Sequence, residues 1–280
     1  MEHYMDPALI NAFERMLIEE EKCASTRKKY VRDVKALLAY LGEPGCVTKA
    51  AVIAYKQHLT ERYAVATVNA MLASINSFFK KMSWYDCVVK SLRVQQAAFR
   101  PPERELTKAE YYRLLQTAKA QGNERLYLLM QTLCGTGIRI SELPFITVEA
   151  VTAGRARVTL KGKTRAILLP AALCRELRRY TRARRIRTGS VFVTRGGRPV
   201  DRSNVFREMK AICTEAGVDP RKVFPHNLRH LFACTYYQAE KDISHLADLL
   251  GHSSINTTRI YLMKSSAEQA RQLEHLGLVI

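Results

Sequence analysis

Two adjacent prolines, Pro101 and Pro102, lie in the charged stretch FRPPERELTKAE, and no regular helix or strand can run through them. Each lacks a backbone N–H, and each pushes the residue before it out of the helical region. Immediately afterwards Thr107, with Glu110 three residues on, carries the signature of a capping box and opens a new helix. This break predicts a domain boundary between Arg100 and Arg104, with residues 1–100 on one side and 101–280 on the other.

The two sides differ in their periodicity. Residues 8–99 are helical in pattern throughout. In STRKKYVRDVKALLAYLG, Tyr30, Val34, Leu37, Leu38 and Leu41 recur at helix spacing, Ser25 or Thr26 is expected to cap the start and Gly42 to stop the run. Thr48 is expected to cap VTKAAVIAYKQHL, and ATVNAMLASINSFFKKM places Val68, Met71, Leu72, Ile75 and Phe79 on one stripe. The first part therefore reads as a small all-helical bundle. Beyond the prolines, helical segments alternate with the short β-like runs RVTL, RAILLP and SVFV, with Lys161-Gly162-Lys163 at the turn between the first two. Three helices are expected to close the chain, around His226–Gln238, Ile243–Leu250 and Ser266–Leu276. The fold class is mainly α with a small β-sheet.

Charge narrows the choice of partner. Against 26 Asp and Glu stand 45 Lys and Arg, a formal net charge of +19 that favours a polyanionic partner. Residues 101–280 carry +14 of this excess and residues 1–100 only +5. Between Arg155 and Arg187 there are twelve bases and one acid, Glu176, and the first five bases occupy or flank the hairpin turn. Neither a run of 18 apolar residues nor a signal peptide occurs, so a membrane is not the expected partner. The seven cysteines are scattered, odd in number and form no CxxC pair. They read as reduced core residues of a cytosolic protein rather than a disulfide framework or zinc knuckle.

Familiar nucleotide motifs fail on inspection. Gly162-Lys163-Thr164 resembles the end of a phosphate-cradling loop, but Arg157 stands where that loop needs glycine, and Gly135-Thr136-Gly137 is a lone GxG suited to ending a helix. FPHNLRHLFA is more informative: Pro225 suits a first helical turn, and His226, Arg229 and His230 then share one face near the positive end of the helix dipole. A metal pair is weakened by Asn227 where a zinc protease carries Glu. Taken alone, the segment reads as helix surface plus one core histidine. In ADLLGHSSINTTRIYL a helix ends at Gly251, His252 stands just beyond it, and a further helix expected from Thr257 carries Tyr261. CGTGIRISELPFI sets Arg139 after a glycine-rich break, with Glu142 one turn on as an anchor for backbone or for Arg139.

TGIRISEL, the hairpin lysine, HNLRH, LGHSS and a tyrosine nine residues after that histidine resemble, in order and spacing, the tyrosine recombinase (phage integrase) family. The resemblance spans nearly the whole chain and implies a helical core-binding domain (1–100) followed by a catalytic domain with a C-terminal tail helix (101–280). It implies that the catalytic arginines are Arg139 and Arg229, the histidines His226 and His252, the nucleophile Tyr261 and the lysine Lys161, with Lys163 two residues away in the same turn. An additional amino-terminal arm-binding domain is expected to be missing. Contacts to DNA are expected from Lys28, Lys29, Lys80 and Lys81 in the first domain and from Arg157, Lys163 and Arg165 at the hairpin.

What the resemblance implies is a site-specific recombinase of double-stranded DNA, the integrase of a mobile element or a Xer-type resolvase, needing no metal, ATP or other cofactor. Tyr261 would attack phosphorus to give a 3′-phosphotyrosyl link, His226 would accept its proton, the arginines and His252 would hold the phosphate, and Lys161 would protonate the departing 5′-oxygen. A two-metal nuclease would instead need clustered carboxylates, and Glu142 alone lies in the constellation. Four protomers are expected to assemble on DNA by docking the tail SSAEQARQLEHLGLVI in trans, in a cytoplasmic, nucleoid-associated protein of bacterial or phage origin. The competing expectations are a non-catalytic architectural DNA-binding factor and a type IB topoisomerase.

Overall fold

In a computed structural model of the chain, the structure describes residues 1–43, 45–93, 105–160, 163–252, 254–262 and 274–275. The chain divides into two compact units, Met1–Gln96 and Ala97–Ile280, taken separately below.

In the first unit four helices follow from their caps. Asp6 accepts from the Leu9 N–H at 2.7 Å and Pro7 occupies the first turn of α1 (Pro7–Glu19). Cys23, rather than Ser25 or Thr26, sits at the cap of α2 (Ala24–Leu41), so this helix starts earlier than its hydroxyls suggest. Gly42, at φ +68°, ends it as expected. Thr48 caps α3 (Lys49–Arg62), and α4 (Val65–Lys81) buries Val68, Leu72, Ile75, Phe78 and Phe79. The expectation of an all-helical bundle misses a small antiparallel pair, β1 (His3–Tyr4) with β2 (Cys46–Val47), too short to show alternation in sequence. His3 pairs with Asp86 at 2.9 Å and stacks on Trp84, which fastens the start of the chain.

A buried carboxylate joins α2 to α4. Asp33 accepts from Lys29 Nζ and Ser74 Oγ, each at 2.8 Å, and from Arg32. Burial alone would raise this carboxyl, but those three donors outweigh it and hold it below the ordinary aspartate value. Of the four lysines expected to touch DNA here, Lys28 and Lys80 are exposed. Lys29 is instead committed to Asp33, Ser74 and the Ala70 carbonyl, and Lys81 is paired with Glu20.

The second unit is built around α6 (Glu124–Thr136), which buries residues on most of its circumference and packs against α5 (Lys108–Ala120), α8 (Ala171–Ala183), α9 (Arg202–Ala211) and α10 (Pro225–Glu240). The Thr107–Glu110 capping box starts α5. A 3-10 segment, Ile140–Phe145, leads to α7 (Val148–Ala153), then to the hairpin of β3 (Arg155–Leu160) and β4 (Lys163–Leu168). Its register runs from Arg155 opposite Leu168 to Leu160 opposite Lys163, so the turn falls at residues 161 and 162, which lie outside the described residues. Ala156, Val158 and Ile167 face the core. SVFV does not form a strand: Ser190 and Val193 make only isolated bridges, with Thr147 and Pro199. Without a continuous partner, β propensity alone leaves it irregular.

The site elements come last: α10 begins at Pro225, α11 (Ile243–Leu250) ends at Gly251, and α12 (Ile255–Arg259) precedes a 3-10 turn at Ile260–Leu262. Ser254 caps α12, which starts at Ile255, two residues ahead of the expected start at Thr257. The expected helix over 266–276 lies outside the described residues apart from Glu274 and His275. The mainly α fold with small sheets is as the sequence indicates. No helix among the described residues is long and apolar enough to cross a membrane.

Candidate active site

Gly137 closes α6 in the left-handed region (φ +62°), where an added Cβ would stand 2.3 Å from the Phe232 ring, so only glycine allows α10 to pack this close. The tight turn presents the Gly137 carbonyl to Arg229, whose Nη1 donates to it at 2.6 Å. Arg229 Nη2 donates to the Leu250 carbonyl and to His252 Nε2, both at 2.8 Å. These bonds let the cation be 1% exposed, the largest fully buried side chain of the protein. Burial pulls the Arg229 pKa below its ordinary value, and the Tyr261 hydroxyl partly offsets this.

His252 is held from both sides. An arginine cannot accept, so His252 Nε2 is the acceptor, and Nδ1 carries the hydrogen it gives to Thr258 Oγ1 at 2.8 Å. Burial, then the positive charges of Arg229, Arg139 and Arg165, push this imidazole down to about 4 and keep it neutral. The sequence suggests a phosphate donor here. As placed, His252 orients Arg229.

Arg139 stands just before the 3-10 segment and is the accessible arginine, its side chain 42% exposed. Its guanidinium makes only long contacts of 3.4 Å, to Glu142 Oε1 and the Leu250 and Gly251 carbonyls, leaving donors for an incoming anion. Glu142, 3% exposed, accepts the Arg139 backbone N–H at 2.7 Å and a two-pronged bond from Arg165, Nη2 at 2.6 Å and Nε at 3.2 Å. Arg165 Nη1 also donates to the Leu249 carbonyl at 2.5 Å, and an added Cβ on Gly251 would stand 2.6 Å from its Cδ. Arg165 therefore does not reach outward as a DNA contact. It ties the hairpin to Glu142 and to the end of α11, while Arg157 on the opposite face is exposed.

Burial alone would raise the Glu142 carboxyl, but donors from Arg165 and Arg139 outweigh it and hold it below the ordinary glutamate value. Its contribution to stability is complete above about pH 4.5, near an unperturbed glutamate, and is lost as pH falls through the depressed folded value. Glu142→Gln keeps the shape and removes the charge that two arginines share, and is expected to cost about 3 kcal/mol at pH 7. Urea unfolding of both proteins from pH 7 to pH 3.5 should show the gap closing only below about pH 4.5; a pH-independent gap would assign the loss to packing.

Tyr261 lies 6% exposed between three imidazoles: ring centroids are 5.3 Å from His230, 5.8 Å from His252, which is stacked, and 6.1 Å from His226. Cys234 Sγ donates to the Tyr261 carbonyl at 3.2 Å and fixes its backbone. His226 is exposed at the start of α10, and His230 is the buried core histidine. Arg139, His226, Arg229, His252 and Tyr261 thus converge. Lys161 and the side chain of Lys163 lie outside the described residues. Sequence reasoning overlooked Thr258 and Cys234, which act on backbone and tautomer rather than in any motif. No disulfide joins any of the seven cysteines, and the one trio of possible metal ligands among the described residues, His3, Asp86 and Cys87, belongs to the first unit.

Residues 104–268 match the model of the phage integrase family and residues 9–84 that of the phage integrase N-terminal SAM-like domain. The tyrosine recombinase XerA of Pyrococcus furiosus is 29% identical over 234 residues, covering 76% of this chain and 77% of its own. XerA of Thermococcus kodakarensis is 27% identical over 289 residues, covering 96% and 97%. Among solved structures, a lambda integrase tetramer bound to a Holliday junction superposes with a TM-score of 0.71 at 19% identity, covering 91% of this chain and 76% of that one. The chain belongs to the phage integrase family. Within that family it is a tyrosine-type site-specific recombinase.

Proposed function

We propose that this recombinase cuts and rejoins double-stranded DNA through a 3′-phosphotyrosyl intermediate on Tyr261. The observation that carries the reading is the enclosure of Tyr261 between His226, His230 and His252, against Arg229. Tyr261 Oη attacks the scissile phosphorus, the new P–O bond forms as the P–O5′ bond breaks, and the phenolic proton passes to His226. Phenols ordinarily ionise near pH 10, so the proton must move during attack. Arg139 takes the nonbridging oxygens with free donors and Arg229 supplies fixed positive charge beneath them, with His252 neutral and holding it. Glu142 is saturated by two arginines and acts on their placement, which leaves it unsuited to metal binding or acid catalysis.

The phosphotyrosine conserves the energy of the broken bond, so the 5′-hydroxyl of a partner strand reverses the step and joins the strands. Exchange between two sites needs four protomers, and the tetrameric structural neighbour supports that assembly for this chain, with the tail proposed as the exchanged element. The Xer relatives favour a Xer-type resolvase over a mobile element's integrase. The polarity has a direct test: cleavage should release, on the far side of the break from the protein-linked strand, a strand with a free 5′-hydroxyl that a kinase labels without phosphatase treatment, whereas a 5′-linked adduct would release a free 3′-hydroxyl there.

Lys161 is proposed as the acid for the 5′-oxygen, on its match to the hairpin lysine of the family. A 5′-phosphorothiolate, whose sulfur leaves without protonation, should restore cleavage to Lys161→Ala by at least tenfold. Rescue of Lys163→Ala alone moves the role two residues.

A further inference from the structure

Seven of the seventeen residues from Ala171 to Arg187 are arginine, none is lysine, and Glu176 is the single acid. The face of α8 toward the core carries Leu173, Cys174, Leu177, Tyr180 and Thr181. The arginines from Arg175 to Arg187 lie outside that face. Glu176 answers only Arg179, at 2.6 Å, and Arg184 lies over the Tyr180 ring at 5.9 Å. Arg178 reaches the Val151 carbonyl at a long 3.4 Å. The side chains of Arg175, Arg182, Arg185 and Arg187 make no hydrogen bond or ion pair among the described residues.

These side chains are gathered rather than scattered. Arg178, Arg182 and Arg185, at i, i+4 and i+7, form one stripe. Arg185 adopts φ +56°, and the chain turns so that Arg187 joins them. With Thr152 of α7 they line an open groove of about 750 Å³. No residue of the candidate active site lines it. The helix itself packs on α6 and α7, whereas the active-site side chains come from α10, the residue just beyond α11, α12 and the 3-10 turn after it, the Arg139 turn and β4.

A solvated helix face ordinarily mixes both signs, because like charges three and four residues apart repel by a few tenths of a kcal/mol per pair. The negative end of the helix dipole accounts for a cation or two in the last turn, not for seven. Exclusive use of arginine is also informative, since lysine gives the same solubility but lacks the planar fork that grips two phosphate oxygens at once. We propose that this face is a second DNA-binding surface, which holds the phosphate backbone of duplex outside the segment engaged at Tyr261. The proposal rests on the reading that DNA is the substrate. It adds a sequence-independent grip on DNA flanking the site.

The test is the full-length variant R178Q/R182Q/R185Q/R187Q, whose substitutions leave the apolar face of α8 intact. Affinity for a 60-bp duplex lacking any recombination site is measured across salt. Removing four cations that each neutralise a phosphate should flatten the log–log salt slope by about 3–4 and weaken binding by at least tenfold at low salt. The corresponding quadruple lysine variant should keep most of the slope. Covalent trapping on a short duplex confined to the core site should match wild type. Should wild type itself fail to trap, the reading of Tyr261 falls and not this one. An unchanged slope and affinity in the glutamine variant overturns the proposal, and so does a face that responds to an acidic protein but not to DNA. If the variant misfolds, phenylglyoxal mapping on wild type decides: the 60-bp duplex must protect Arg182, Arg185 and Arg187, and full reactivity in its presence overturns the proposal.

Discussion

Tyr261→Phe should bind its recombination site with nearly wild-type affinity and form no covalent complex with it. The substitution removes one oxygen and keeps a ring of the same size among His226, His230 and His252, so packing around residue 261 is retained. The folding cost is that of one hydroxyl beside Arg229, about 1 kcal/mol. The catalytic cost is total, because no other side chain at this position can carry phosphorus. On a nicked suicide substrate, wild type should yield a protease-sensitive adduct resistant to denaturing gel conditions, and the variant should yield none. An adduct of undiminished yield would place the nucleophile elsewhere. Reduced binding in parallel with lost cleavage would instead make Tyr261 a structural residue.

The residues in this pocket are readable in sequence because their roles depend on order along the chain and on helix phase. Pro225 fixes where α10 begins, and that phase places His226 and Arg229 toward Tyr261. Gly137 and Gly251 mark helix ends whose carbonyl-rich turns receive the arginines. What sequence leaves unread depends on partners distant along the chain. Lys29 and Lys81 carry the same charge as Lys28 and Lys80, and only the packing of α2 on α4 and the approach of Glu20 withdraw them from the surface. Strand parity, though, holds an unused signal for Arg165: it shares a face with Ile167 and Leu169, both buried, and lies opposite buried Val158. Read by alternation rather than by charge, that arginine points inward, toward Glu142.

The two arginines of the site are therefore unlike each other, and Arg229 should be the more damaging to lose. Arg139 is accessible and loosely held, so its removal costs mainly a phosphate contact. Arg229 joins four pieces of the site: the end of α6 through the Gly137 carbonyl, the end of α11 through Leu250, His252, and Tyr261. Arg229→Ala leaves two buried carbonyls and an imidazole without their donor and opens a cavity where the side chain lay. About 3 kcal/mol or more of stability should go with it. Because such a loss could by itself abolish activity, Arg229→Lys is the sharper variant. Lysine keeps the charge and much of the volume, but one ammonium cannot serve Gly137, Leu250 and His252 in a common plane. Its melting temperature should stay within several degrees of wild type. The cleavage rate should nevertheless fall by about a hundredfold to a thousandfold, the cost of one preorganised donor set, with site affinity changed less than threefold. The freed His252 should then titrate closer to its ordinary value, which an NMR pH series would detect as an imidazole moving up from about 4. If Arg229→Lys cleaves within threefold of wild type, charge alone suffices at this position, and the buried guanidinium network serves folding rather than catalysis.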